Sequence, residues 1–159
     1  MAIPSVDLAD FLSGDLDKKA AFVQALGNAY EDVGFVAVKN HGVPDELIAD
    51  LYKYVQEFFS LPLDHKKNYE IVELAGQRGY TSFGKEHAKG SDAPDLKEFF
   101  QYGQVPRDNF KDEEYPDNVQ VGEVGKFNAT FENAYRAFEK SGTALLQAIA
   151  LYLGLDENY

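Results

Sequence analysis

Hydrophobic positions along this chain recur with two different periods, and the change of period marks out its elements. Ile3 to Leu8 alternates loosely and carries β-branched residues, which predicts a short opening strand. Ser13-Gly14-Asp15 then offers helix N-cap residues. From Ala21 the apolar positions are Phe22, Ala25, Leu26, Ala29, Tyr30 and Val33, a helical spacing with one buried face that Gly34 interrupts. Phe35-Val36-Ala37-Val38 follows as a short apolar run that suits a buried strand. Asn40-His41-Gly42 reads as a turn. Pro44 suits the first position of a second helix, and Asp45 and Glu46 favour its positive end. Leu47, Ile48, Leu51, Val55, Phe58 and Phe59 form that helix's expected buried stripe; Leu61-Pro62 ends it, with one further turn over Leu63 to Lys67.

Beyond this point the pattern loosens. Gly76, Gly79, Gly84 and Gly90 punctuate Leu74 to Pro94, and two short strands are expected around Gly79 to Phe83 and Glu98 to Tyr102. Val105 to Val124 reads as an acidic loop with Pro106, Pro116 and Asp112-Glu113-Glu114, long enough to signal a functional or wrapping segment. Phe127, Phe131, Ala134, Tyr135, Phe138, Leu145, Leu146, Ile149 and Leu153 then hold helical phase from about Gly125 to Leu153, where Gly154 is a natural stop. Helices interspersed with short strands place the chain in the α+β class, with three main helices.

Composition narrows the partners. The length of 159 residues suits one domain. Tyr and Phe number 10 and 12, so ring burial will dominate packing. A net charge of −12 disfavours nucleic acid and anionic membranes at long range. The chain has 0 cysteines, which excludes disulfides and thiolate metal sites and fits the reducing cytoplasm, the expected location. The start Met1-Ala2-Ile3-Pro4-Ser5-Val6-Asp7 has no basic region followed by an apolar core, so no signal peptide is expected. No apolar run approaches the ~18 residues of a membrane span.

Three histidines make the search for a metal short. A mononuclear iron oxygenase needs two His and one carboxylate on one face of the metal. A His and a carboxylate two residues apart on a strand share one face and can supply two of these ligands. His41 is followed by Gly42-Val43, His65 by Lys66-Lys67 and His87 by Ala88-Lys89, so none offers that pair. His41 reads as a structural turn residue, His65 as solvated, and His87 as a loop residue without an evident role; no metal ligand is assigned. Neither a nucleophile elbow nor a phosphate-cradling glycine loop is present.

The segment Gly34-Phe35-Val36-Ala37-Val38-Lys39-Asn40-His41-Gly42-Val43-Pro44 resembles the signature of the isopenicillin N synthase-like family of non-haem iron dioxygenases. Other marks stand in the family's order. They are the opening Ile3-Pro4-Ser5-Val6-Asp7-Leu8, Phe58-Phe59-Ser60-Leu61-Pro62 with Lys66, Gly79-Tyr80, Lys97-Glu98-Phe99, and the terminal Leu151-Tyr152-Leu153-Gly154-Leu155. The resemblance covers nearly the whole chain, and only Val36 departs from the motif, where an aromatic is common.

This resemblance implies that residues 1–159 are an N-terminal non-haem dioxygenase domain whose helices and short strands support a jelly-roll, or double-stranded β-helix. In the family that second half carries a His-x-Asp and a distant His for Fe(II), and an Arg-x-Ser for 2-oxoglutarate. None of these occurs here: Arg78, Arg107 and Arg136 all lack the following x-Ser. The expectation is therefore a parent enzyme that hydroxylates, desaturates or cyclises a small molecule, a metal-binding jelly-roll lying beyond Tyr159, and a fragment that alone lacks iron, 2-oxoglutarate and activity. By position in the family, Gln77, Arg78, Tyr80 and Thr81 would line the substrate pocket. Self-association of the fragment is expected, through strand edges and the last helix's apolar stripe. The competing reading is a stand-alone, non-catalytic binding module that holds a partner through its aromatic faces.

Overall fold

A computed structural model describes residues 2–87, 89–90, 93–105 and 115–159. The chain divides into two compact units, Met1–Pro44 with Arg136–Tyr159, and Asp45–Tyr135. The longest helix, α5 (Phe127–Tyr152), contributes its second part to the first unit and its first part to the second.

In the first unit, β1 (Ser5–Asp7) leads into a short helix, α1 (Leu8–Leu12), because the Asp7 carboxylate accepts from the Ala9 amide and caps it. Asp15, one of the foreseen caps, accepts from the amides of Asp17 and Lys18 and starts α2 (Leu16–Asp32). Gly34 stops α2 at φ +81°, a left-handed conformation that costs glycine nothing. The chain then enters β2 (Ala37–Lys39), which pairs parallel to β1 with Val6 opposite Val38. Phe11, Phe22, Leu26, Ala144 and Ala148 form the core here, with Val6 and Leu8. The expected buried strand over Phe35 to Val38 is corrected: the strand starts two residues later, and Phe35 is 68% exposed. Among the described residues β2 has a strand partner on one edge only.

The second unit opens with α3 (Asp45–Phe59), where Pro44 was expected to start a helix. Only Tyr54 and Phe58 of α3 are fully buried; Leu47, Ile48, Leu51, Val55 and Phe59 of the expected stripe are half-buried. A one-turn helix, α4 (Leu63–Lys67), and a single 3₁₀ turn at Val72–Leu74 lead to the antiparallel pair β3 (Gly79–Thr81) and β4 (Phe99–Gln101), with Tyr80 opposite Phe100. Phe58 is the centre of the core. Its ring lies 5.0–6.0 Å from those of Phe59, Tyr69, Tyr80, Phe100 and Phe127, a separation at which tilted and edge-on ring pairs add to burial. Most of the expected acidic loop, residues 106–114, lies outside the described residues. Among the described residues no helix is long and apolar enough to cross a membrane.

Candidate functional site

The signature segment of the first unit folds as a structural turn. Asn40 sits at φ +50° and Gly42 at φ +78°, which reverses the chain after β2. The Asn40 side-chain amide donates to Asp7 at 2.7 Å, tying the turn to β1. The Val43 amide donates to Nδ1 of His41 at 3.2 Å, and the Ser141 hydroxyl donates to the His41 carbonyl oxygen. His41 is therefore held at its ring and its backbone, and the ring nitrogen facing the chain is already used.

The second unit concentrates its buried charge at one place. Lys66 is 7% exposed. Its ammonium donates to both oxygens of Glu98, at 2.9 and 2.8 Å, and to the Phe59 carbonyl at 3.2 Å, which satisfies all three of its protons. The ring of Tyr80 lies below the same ammonium, 5.7 Å from its centroid, and the Tyr80 hydroxyl donates to Glu98. Burial, and then the contact with Glu98, push the Tyr80 phenol far above its ordinary range. Burial alone would raise Glu98, but its hydrogen bonds from Lys66 and Tyr80 outweigh that and leave it lowered. At neutral pH the group is a closed Lys⁺–Glu⁻ pair with a neutral tyrosine, and it locks α4 to the β3–β4 ribbon.

Beside β3 lies a cavity of about 270 Å³, lined by Ile71, Val72, Ala75, Tyr80 and Phe99 and by the polar residues Glu70, Thr81, Lys85 and Glu86. Glu70 is fixed, since its carboxylate accepts from the Ser82 amide at 3.3 Å and from the Ser82 hydroxyl at 3.0 Å. Lys85 approaches Glu70 no closer than 3.8 Å, and Glu86 is engaged by Lys97 at 2.6 Å. The Thr81 hydroxyl is enclosed and has no hydrogen-bond partner among the described residues.

Of the four residues expected at a pocket wall, Tyr80 and Thr81 line this cavity. Gln77 is exposed, and Arg78 lies against Gly103 with one guanidinium nitrogen donating to the Gln77 carbonyl at 2.7 Å; neither lines the cavity. Glu70 and Lys85 escaped the sequence reading, because one glutamate and one lysine in an acidic chain carry no pattern of their own.

Comparison with known proteins explains why these elements stand in this order. The family model described as "non-haem dioxygenase in morphine synthesis N-terminal" matches residues 3–121. The chain belongs to this family. The match spans the opening strand, the Asn40-His41-Gly42 turn and the β3–β4 ribbon, as the motif resemblance implied. This dioxygenase N-terminal region is 34% identical to the proline hydroxylase buaE of Petromyces alliaceus, over 100% of this chain and 50% of that protein. It is 28% identical to the 2-oxoglutarate-dependent dioxygenase ecdK of Aspergillus rugulosus, over 99% of this chain and 51% of that one. Among solved structures, a putative 2OG-Fe(II) oxygenase family protein from Caulobacter crescentus superposes with a TM-score of 0.84 at 32% identity, over 99% of this chain and 50% of that one. The chain thus spans about half the length of the curated relatives it matches.

The iron implied by this family finds no fitting site among the described residues. Among the described residues no three His, Asp or Glu side chains stand close enough to hold a metal ion. His65 faces Glu123 at 3.5 Å with no third ligand, His87 pairs through its backbone with Pro94, and His41 is occupied as above.

Proposed function

We propose that this chain is the N-terminal part of a cytoplasmic, non-haem Fe(II)- and 2-oxoglutarate-dependent oxygenase that hydroxylates, desaturates or cyclises a small molecule. The observation that carries this reading is the alignment of essentially the whole chain with half of one protein named a proline hydroxylase and half of another named a 2-oxoglutarate-dependent dioxygenase. The described residues do not fit the metal, so iron and 2-oxoglutarate would be held by a jelly-roll half that the present residues do not include. The contribution of this chain is then positional. Its aromatic core and the closed Lys66–Glu98–Tyr80 group hold the β3–β4 ribbon and the adjoining cavity in fixed geometry.

Anaerobic calorimetry on the 159-residue chain tests this division of labour. The expected result is no stoichiometric Fe(II) binding tighter than about 10 μM, a scale worth roughly 7 kcal/mol. A tight one-to-one isotherm would overturn the division and point to an iron site built by this chain. The coding sequence downstream of Tyr159 gives an independent check: a His-x-Asp, a distant His and an Arg-x-Ser are expected. A stop codon there would favour the stand-alone binding module.

A further inference from the structure

We infer that the cavity beside β3 is a binding site for a free amino acid with an apolar side chain, or a close analogue carrying both an ammonium and a carboxylate. The inference rests on the oxygenase reading only in calling the occupant a substrate; the binding itself is read from this chain. At about 270 Å³ the cavity lies at the small end of ligand pockets and suits a metabolite rather than a cofactor.

Its polar groups are few and of two signs. Glu86 is paired to Lys97, and the Tyr80 hydroxyl to Glu98. That leaves Glu70 and Lys85, a loose ion pair whose 3.8 Å separation is too long for a direct hydrogen bond. Glu70 is anchored from behind by Ser82, so its carboxylate stays in place when Lys85 moves. Lys85 is 56% exposed on a flexible stem and can turn aside to admit a ligand. A zwitterion would complete both ions, its ammonium on Glu70 and its carboxylate on Lys85. Ile71, Val72, Ala75 and Phe99 would then receive an aliphatic side chain.

Two further features distinguish this wall. The Thr81 hydroxyl is buried, at 7% exposure for the residue, with an unmade hydrogen bond, and enclosed polar groups are rarely left so. Ala75 is held at φ +47°, a left-handed conformation unusual for a residue with a side chain, at the cavity's edge.

The test is titration of the ¹⁵N-labelled chain with leucine, isoamylamine and isocaproate, the last two each lacking one of leucine's charges. Leucine is expected to shift the amides of Glu70, Ala75, Thr81 and Lys85, and to bind at least about tenfold more tightly than either analogue. Lys85→Met, an exposed change that should leave the fold intact, is expected to weaken leucine about tenfold and isoamylamine hardly at all. Glu70→Gln should weaken both leucine and the amine. Absence of shifts with leucine at about 10 mM, equal binding of the amine or the acid, or an unaltered affinity in Lys85→Met would each overturn the inference. Leucine binding by a protein that never turns over 2-oxoglutarate would support the site and sink the oxygenase; turnover without leucine binding would do the reverse.

Discussion

Lys66 is almost without solvent and yet has every proton satisfied, and that balance decides what its removal would do. Deleting one partner of a buried pair leaves the other charge desolvated and alone. Lys66→Met should therefore destabilise the chain by about 3 kcal/mol in chemical denaturation, whereas Lys66→Met with Glu98→Leu should cost less than the two single changes together. The pair also sets a pH dependence. Glu98 has a lowered folded-state value, so its contribution is complete above the ordinary carboxylate range, near about pH 4.3, and is lost as pH falls through that lower value. The stability gap between the native chain and Glu98→Gln, followed by denaturant midpoints, should accordingly close below about pH 4. Glu98 and Lys66 were each visible in the sequence as family marks, but their pairing was not. Lys66 sits among charged neighbours at Asp64, His65 and Lys67, and only the fold reveals that it alone of these turns inward. His41 was legible in full, because an Asn-His-Gly turn leaves a side chain little to do except hold the backbone. His41→Ala should cost about 1–2 kcal/mol in thermal denaturation through the lost bond to the Val43 amide.

Helices were easier to foresee than strands, and the reason lies in length. α2, α3 and α5 run 17, 15 and 26 residues, enough turns for period and caps to agree. Each strand has three residues, too few for alternation to speak, and glycines rather than periodicity betrayed β3. Two short pieces went unforeseen. They are α1, started by Asp7 alone, and the 3₁₀ turn at Val72–Leu74 that carries the cavity's outer wall. The cavity shared that fate, since its walls come from segments that no local pattern connects. Gly79, which opens β3, is a strong test of the ribbon. It stands at φ +78°, and an added Cβ would overlap the Tyr69 carbonyl oxygen and approach Val119 to 2.9 Å. Gly79→Ala should combine left-handed strain with overpacking and cost about 3 kcal/mol, with loss of near-ultraviolet dichroism from the surrounding tyrosines before global unfolding.

For the chain as a whole, charge and apolar surface pull in opposite directions. A net charge of −12 keeps copies apart, but that repulsion is screened over about 8 Å at physiological salt. Phe138 and Leu146 along α5, and Leu153 just beyond its end, are 55%, 67% and 64% exposed, and among the described residues β2 has a strand partner on one edge only. The sequence placed these side chains in the helix's apolar stripe without showing what would cover them. We expect reversible self-association of the 159-residue chain through such surfaces in sedimentation velocity, reduced by Leu146→Glu. A clean monomer at about 100 μM would show that these faces tolerate water. Family membership is settled by the match over residues 3–121; the activity proposed above is that of a gene product that also carries the jelly-roll half. The measurement that bears most directly on the account is succinate formed from 2-oxoglutarate by that product, with and without added Fe(II). The account predicts succinate only when Fe(II) and oxygen are present; a folded, iron-supplied product that leaves 2-oxoglutarate untouched would contradict it.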